Sequence, residues 1–81
     1  MRFELENNTL NAIENENIVG YIDFELEDNV LNVIHTFVDP SQRGEGLAKK
    51  MMDEIYNYSL NNNYKIKASC SYAIKYLENL N

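Results

Sequence analysis

The alternation of apolar and polar residues divides the chain into a strand-forming first half and a helix-containing second half. Up to residue 38, apolar residues recur at nearly every second position between short polar runs, which is typical of strands joined by tight turns. The predicted strands hold Phe3 and Leu5, then Leu10, Ala12 and Ile13, then Ile18 to Glu25, and then Val30 to Val38. This pattern predicts three successive antiparallel hairpins, with the β-branched fourth strand at the centre of the sheet.

The same alternation predicts which side chains share a face of the sheet. The residues expected on one face of the third strand are Ile18, Gly20, Ile22 and Phe24. In the fourth strand His35 follows Leu31 and Val33 at two-residue intervals, and Phe37 comes next. His35 is therefore expected on their face, half-buried and hydrogen-bonded.

Beyond Pro40 the apolar residues follow the period of a helix rather than of a strand. The apolar positions at helical spacing are Leu47, Met51, Ile55 and Tyr58. We expect a helix from about Gly44 to Leu60, ended by Asn61 to Asn63. The remaining predicted elements are a fifth strand from Lys65 to Ser69 and a short helix from Ser71 to Leu80, with Ile74, Leu77 and Leu80 as its apolar stripe. The long helix provides the length that a parallel connection between the fourth and fifth strands requires.

The 81 residues, of which 44% are apolar and 25% are charged, fit one small globular domain covering residues 1–81. The predicted class is α/β (α+β), with a mixed, mostly antiparallel five-stranded sheet, one long helix and one short helix. The single cysteine allows no internal disulfide, so a reducing, cytoplasmic location is expected. The first residues lack the apolar stretch of a signal peptide and no run is long enough to span a membrane, so no membrane association is expected.

Charge is distributed unevenly along the chain, whose formal net charge is -6. Residues 1–42 carry one basic and nine acidic side chains, whereas residues 43–81 carry six basic and four acidic ones. The acidic first half makes a continuous basic face hard to assemble, so a nucleic-acid partner is not expected. The division fits a protein whose second half meets an anion and whose first half is either solvated or attracts a cation.

Two glycines bracket one residue in the segment from Arg43 to Ala48, at the expected start of the long helix. Glycine lets the backbone approach a ligand closely, and the free N–H groups at a helix start bind phosphate. Arg43, with Lys49 or Lys50, would add charge-assisted contacts. The spacing is neither that of a P-loop, which needs Gly-Lys-Ser/Thr, nor that of the three-glycine dinucleotide fingerprint.

This segment resembles the acetyl-CoA pyrophosphate loop of the Gcn5-related N-acetyltransferase superfamily, whose pattern is Arg/Gln-x-x-Gly-x-Gly/Ala. Arg43, Gly46 and Ala48 occupy its three defined places, and the preceding Phe37-Val38-Asp39-Pro40 resembles the end of the family's fourth strand. The resemblance implies that acetyl-CoA or CoA binds here, with the pantetheine arm beside the fourth strand. The cofactor-binding residues that it implies are Phe37, Val38, Arg43, Gly44, Glu45, Gly46, Leu47 and Ala48. No metal is expected, because one His and one Cys do not form a coordination set.

The short length, the His35-Thr36 pair and the Cys70-Ser71-Tyr72 tripeptide are similar to the minimal YjdJ-type and NATD1-like members of that superfamily. This resemblance implies Cys70 and His35 as active-site residues. Cys70 also lies just before a predicted helix, whose dipole favours a thiolate, although a lone cysteine is more often a small buried apolar residue. His35 would deprotonate the Cys70 thiol or the incoming amine.

Tyr76 is a third candidate catalytic residue. In larger members of the superfamily the segment after the fifth strand resembles Asn-x-x-Ala-x-x-Tyr, with the tyrosine protonating the leaving CoA thiolate. Here Cys70 replaces the Asn, while Ala73 and Tyr76 keep the spacing. A packing aromatic residue is the equally weighted alternative.

The resemblance predicts transfer of an acetyl group from acetyl-CoA to an amine, directly or through an acyl intermediate on Cys70. The alternative is a non-catalytic module that binds or senses acetyl-CoA or CoA, because the chain lacks the first helices and last strands of larger members. The acidic first half favours a small cationic amine or a basic peptide as acceptor. The sequence leaves the oligomeric state open.

Overall fold

The computed structural model describes residues 1–80, which form one five-stranded sheet and two α-helices. The strands are β1 (Arg2–Glu6), β2 (Thr9–Glu14), β3 (Asn17–Glu27), β4 (Val30–Val38) and β5 (Lys65–Ala68), and the helices are α1 (Leu47–Asn61) and α2 (Ser71–Glu78). A single 3₁₀ turn over Pro40–Gln42 lies between β4 and α1. The predicted class of a mixed sheet with one long and one short helix is confirmed.

The strands lie in chain order across the sheet, β1-β2-β3-β4-β5. The first four pair antiparallel, as the hairpin pattern predicts, and β4 pairs parallel with β5 after the connection through α1. The middle strand is β3, so the prediction that the fourth strand is central was wrong. β4 is an interior strand with β3 on one side and β5 on the other.

Two β-bulges change which side chains share a face. Ala12 pairs with Gly20 but Ile13 pairs with Ile18, so β3 holds one extra residue at Val19. The alternation reverses there: Val19 is buried, and Ile18, which was expected to share a face with Ile22, is 56% exposed. A bulge adds a residue without a compositional signal, and simple alternation therefore misses it.

The second bulge lies in β4. Phe24 pairs with Val33 but Asp23 pairs with His35, so Ile34 is the extra residue. His35 and Phe37 consequently face away from buried Val33, and both are exposed. The expectation of a half-buried His35 on the face of Leu31 and Val33 was wrong.

Both helices pack into one apolar cluster on the same face of the sheet. α1 contributes Leu47, Met51, Met52 and Ile55 to the cluster, and its polar Ser59 is buried as well. α2 contributes Ala73, whereas Ile74 is 41% exposed, so the predicted apolar stripe of this helix was wrong. The helix ends at Glu78 rather than at Leu80, and Leu80 is 45% exposed. The small Ala73 side chain lets α2 lie close to the sheet, with Tyr76 partly buried beside it.

The opposite face of the sheet, here called the helix-free face, carries the outward side chains of all five strands. Among residues 1–80, no helix combines the length and apolarity needed to cross a membrane.

Candidate functional site

The parallel ladder between β4 and β5 is short, and the two strands then separate. Their pairing runs from Val30 with Lys65 to Val33 with Ala68, and the Ser69 N–H donates a last hydrogen bond to the Val33 carbonyl at 2.8 Å. Residues 34–38 of β4 therefore have a neighbouring strand on the β3 side only. We call the opening between residues 34–38 and residues 69–72 the gap.

Backbone direction along β4 decides which residues present hydrogen-bonding groups to the gap. The Asp39 N–H donates to the Val19 carbonyl of β3 at 2.8 Å. Since direction alternates along a strand, Phe37 also faces β3, and Thr36 and Val38 direct their N–H and C=O groups into the gap. Of the two β4 residues implied as cofactor-binding, Val38 thus directs its backbone groups into the gap, and Phe37 directs its own toward β3.

The segment after β4 is held by Asp39. Its carboxylate accepts hydrogen bonds from the Ser41 hydroxyl, at 2.5 Å, and the Ser41 N–H, at 2.9 Å, and these bonds lower the pKa of Asp39. The carboxylate caps the 3₁₀ turn that carries the chain from β4 to the glycines.

The sequence predicted that α1 begins at about Gly44. It begins at Leu47 instead, because both glycines adopt left-handed backbone angles. The φ values are +85° at Gly44 and +76° at Gly46, which a right-handed helix does not allow. Gly46 is the N-cap of α1 and offers no capping side chain. The N–H groups of the first turn therefore lack intrahelical partners and remain available to an anion.

These elements surround one depression of about 200 Å³, here called the loop depression. Its lining residues are Val38, Gln42, Arg43, Gly44, Gly46, Leu47, Ala48, Lys49 and Tyr72. Six of the eight residues implied as cofactor-binding lie together there. Of the other two, Phe37 lies on the helix-free face, and Glu45 lines a separate depression together with Lys50.

Gln42 and Tyr72 were missed as lining residues. Gln42 belongs to the polar run after Pro40, and Tyr72 lies in the first turn of α2, inside the Cys70-Ser71-Tyr72 tripeptide already singled out. The signal that could have identified Tyr72 was its position two residues after Cys70. Contact with the loop depends on how α2 packs against α1, which one-dimensional spacing does not specify.

Cys70 is the N-cap of α2 and lies on the helix-covered side of the gap. It is partly buried against the apolar cluster, and its Sγ is 4.0 Å from Thr36 Oγ1. Cys70 therefore borders the gap from the helix-covered face of the sheet.

His35 borders the gap from the opposite side. Its ring lies 5.8 Å from the Tyr21 ring on the helix-free face, and its cross-strand partner is Asp23. The structure does not bring His35 and Cys70 together as a pair, because the Ile34 bulge turns the histidine to the other face of the sheet.

Tyr76 lies between the two helices instead of at the loop depression. Its hydroxyl donates a hydrogen bond to Asp53 Oδ1 at 2.5 Å, and Lys49 Nζ lies 3.1 Å from Asp53 Oδ2. Burial first, and then the hydrogen bond to Asp53, raises the pKa of Tyr76 far above its ordinary value of 10.0. The same bond, reinforced by Lys49, lowers the pKa of Asp53. The phenolic proton is thus held by a carboxylate.

Within residues 1–80, no group of three or more His, Cys, Asp or Glu side chains is arranged to hold a metal ion.

The sequence profile of the GCN5-related N-acetyltransferase family matches residues 2–80. The chain belongs to this family. Comparison with curated protein sequences finds no match. The comparisons do not distinguish the minimal YjdJ-type and NATD1-like subfamily, which stays a prediction.

Solved structures of family members share the fold. A GCN5-like protein from Staphylococcus aureus, solved by NMR, is 29% identical with a TM-score of 0.77, over 96% of this chain and 78% of that one. A GNAT-family acetyltransferase from Staphylococcus aureus Mu50 is 26% identical with a TM-score of 0.69, over 88% of this chain and 49% of that one. Aminoglycoside N-acetyltransferase AAC(6')-Iy, solved with CoA, is 19% identical with a TM-score of 0.65. That match covers 78% of this chain and 55% of the enzyme, so the chain spans about half the length of the two larger proteins.

Proposed function

We propose that this protein binds acetyl-CoA and transfers its acetyl group to an amine. The observation that carries the proposal is the position of the loop depression, where uncapped helical N–H groups lie at the end of a gap in the sheet. An elongated ligand with phosphates at one end and a reactive group at the other fits this arrangement. The CoA found in AAC(6')-Iy supports the choice of ligand, because that enzyme shares the fold.

The loop depression would hold the pyrophosphate. The first-turn N–H groups of α1 would donate hydrogen bonds to it, and Arg43 and Lys49 would supply positive charge. The pantetheine arm would continue into the gap, where its amides would pair with the free backbone groups of Thr36 and Val38. The arm would then take the place that β5 leaves empty beside β4.

The thioester would reach the part of the gap between His35 and Cys70. In direct transfer, the amine nitrogen attacks the thioester carbonyl, a C–N bond forms, and the C–S bond breaks with its electron pair on sulfur. The amine gives up one proton and the CoA thiolate gains one. His35 would accept the amine proton on the helix-free face, where it lies away from the Cys70 thiol.

Cys70 offers a second route. Its thiolate would attack the thioester first, giving an acetyl-Cys70 thioester and free CoA thiolate, and the amine would attack that intermediate afterwards. We assign Tyr76 a packing role between α1 and α2 rather than protonation of the CoA thiolate, because its proton is already donated to Asp53.

Calorimetric titration with acetyl-CoA and with CoA tests the binding step. We expect Arg43→Ala to raise the Kd for both ligands about tenfold, the effect of one charge-assisted contact to phosphate at an exposed site. Lys50→Ala is the matched control, since Lys50 lines the depression on the other side of the loop. Equal affinities of the wild type and Arg43→Ala, or no saturable binding at all, would contradict the proposed site.

The second candidate function is a non-catalytic module that binds or senses acetyl-CoA. The chain spans about half the length of AAC(6')-Iy and of the Mu50 acetyltransferase, and a shorter domain has less surface with which to enclose an acceptor. Release of free CoA on addition of amines separates the two functions. Intact-mass measurement after mixing with acetyl-CoA then separates the routes, since an acetyl adduct that disappears in Cys70→Ala indicates the Cys70 intermediate.

A further inference from the structure

Four side chains form a compact group on the helix-free face, away from the loop depression. Tyr21 and Asp23 are two residues apart on β3, and their cross-strand partners on β4 are Phe37 and His35. The Tyr21 ring stacks on Phe37 with centroids 5.2 Å apart, and lies 5.8 Å from the His35 ring. We call these four residues the aromatic patch. Three aromatic rings and one carboxylate thus occupy neighbouring positions on a surface that no helix covers.

The carboxylate of Asp23 is fixed but keeps its charge uncompensated. Thr9 donates a hydrogen bond to Asp23 Oδ1 at 2.8 Å, which holds the side chain beside the rings. Asp23 has no salt bridge to any residue between 1 and 80. The next outward position along β3 is Glu25, which adds further negative charge. A carboxylate attracts an organic cation by its charge, and a neighbouring aromatic ring attracts it through the negative face of its π-system.

The aromatic patch also lies directly beside the gap. His35 and Phe37 belong to the stretch of β4 that has no strand on its β5 side, so nothing in the sheet separates them from the opening. Cys70 and Thr36 border the same opening from the helix-covered side. A molecule bound on the aromatic patch therefore has to extend past β4 alone to reach a group that lies in the gap.

We propose that the aromatic patch is the acceptor subsite and that it selects amines carrying a second, cationic group. The ammonium group would lie against Asp23 and the Tyr21 and Phe37 rings, and the other, uncharged amine would extend past His35 into the gap. This inference rests on the proposed acetyl transfer, but it assigns residues and a substrate class of its own. It also assigns a function to the outward orientation of His35 and Phe37, which the Ile34 bulge produces.

Two acceptors of equal length test the subsite. In 1,4-diaminobutane the second group is an ammonium, and in 4-amino-1-butanol it is a neutral hydroxyl. We expect the wild type to prefer the diamine about tenfold in kcat/KM, through a difference in KM. Asp23→Asn should abolish this preference while leaving the Kd for acetyl-CoA unchanged. Glu6→Gln is the matched control, because Glu6 lies on the same face two strands away and loses the same charge.

Direct binding separates failure of this subsite from failure of acetyl transfer. In the wild type, NMR titration with 1,4-diaminobutane should shift the ring signals of Tyr21, His35 and Phe37, and Asp23→Asn should lose these shifts. If the protein turns over both acceptors equally, or if the diamine shifts none of the three rings, the subsite is wrong even though acetyl-CoA binds. Burial of the aromatic patch by a second copy in solution, seen as a dimer that Phe37→Glu dissociates, would overturn it as well. If acetyl-CoA does not bind but the ring shifts occur, the proposed transfer fails and the cation site remains.

Discussion

At the scale of single residues, the sharp turns depend on side chains that tolerate a left-handed backbone. The asparagines with positive φ are Asn7, Asn15, Asn29 and Asn63, and Asp28 shares this conformation. Asn and Asp adopt it at low cost because their short polar side chains hydrogen-bond locally. The polar runs of the sequence were correctly predicted as turns on this basis. Glu16, at a φ of 66°, is the non-glycine residue there without this advantage.

Replacing Glu16 with glycine should therefore stabilise the protein. A left-handed residue with a longer side chain costs about 1 kcal/mol relative to glycine, whereas the exposed ion pair of Glu16 with Arg2 contributes less. We expect Glu16→Gly to raise the Tm by about 4 °C, measured by thermal unfolding. Glu16→Gln removes the ion pair but keeps the conformation, so it should leave the Tm unchanged or slightly lower. A Glu16→Gly protein no more stable than Glu16→Gln would contradict the argument.

At the scale of elements, the hairpins, the long helix and the parallel return to β5 were predictable because each depends on periodicity and turn composition. The two bulges were not, because a single extra residue such as Val19 or Ile34 has no distinctive composition. The apolar stripe of α2 was wrong for a related reason: burial depends on where the helix touches the sheet, and small Ala73 permits the closest contact. The late start of α1 follows from the left-handed glycines, whose conformation the sequence allows but does not specify.

The contact between β3 and α1 yields a prediction at this scale. A Cβ on Gly20 would lie 3.0 Å from the Phe37 carbonyl oxygen and 3.1 Å from Met51 Sδ. The carbonyl belongs to the neighbouring strand and cannot turn aside as a flexible side chain does. Gly20→Ala should therefore lower the free energy of unfolding by about 1–3 kcal/mol, measured by urea denaturation. Glu25→Ala, at an exposed position of the same strand, should stay within about 0.5 kcal/mol of the wild type. An equally stable Gly20→Ala protein would show that the strand and helix separate without cost.

At the scale of the whole molecule, the candidate site is assembled from parts that the sequence indicates separately. The glycine loop was predictable from its spacing, and five of the six residues from Arg43 to Ala48 line one depression together with Val38 of β4. The separation of His35 from Cys70 was not predictable, because it depends on the Ile34 bulge. The hydrogen bond between Tyr76 and Asp53 was equally unpredictable, since it depends on how the two helices pack together.

The Asp53–Tyr76 hydrogen bond makes the stability of the whole molecule depend on pH at both extremes. The folded pKa of Asp53 lies below its ordinary 3.8, so the bond contributes fully above about pH 4 and is lost as pH falls through the folded pKa. The folded pKa of Tyr76 lies above its ordinary 10.0, so the contribution is full below about pH 10 and is lost as pH rises through the folded pKa.

Tyr76→Phe tests this dependence. The variant should be less stable than the wild type by about 1 kcal/mol between pH 5 and 9, and the difference should shrink towards both extremes. Urea denaturation at a series of pH values measures it. Tyr72→Phe is the matched control, because Tyr72 is an exposed tyrosine of the same helix. A difference that stays constant from pH 3 to pH 11 would show that lost packing, rather than the hydrogen bond, accounts for the effect.

The shortness of the β4–β5 ladder also has a kinetic consequence. Each antiparallel hairpin closes over a few residues, whereas β5 joins the sheet only after the chain has passed through residues 39–64. Local pairings form quickly, and this long-range pairing is held by four residue pairs at an edge of the sheet. Local unfolding should therefore begin at β5, and its amides should exchange with solvent faster than those of β3. A ligand that fills the opening beside β4 would slow that exchange, so its binding would first stabilise β5, the strand whose amides are least protected.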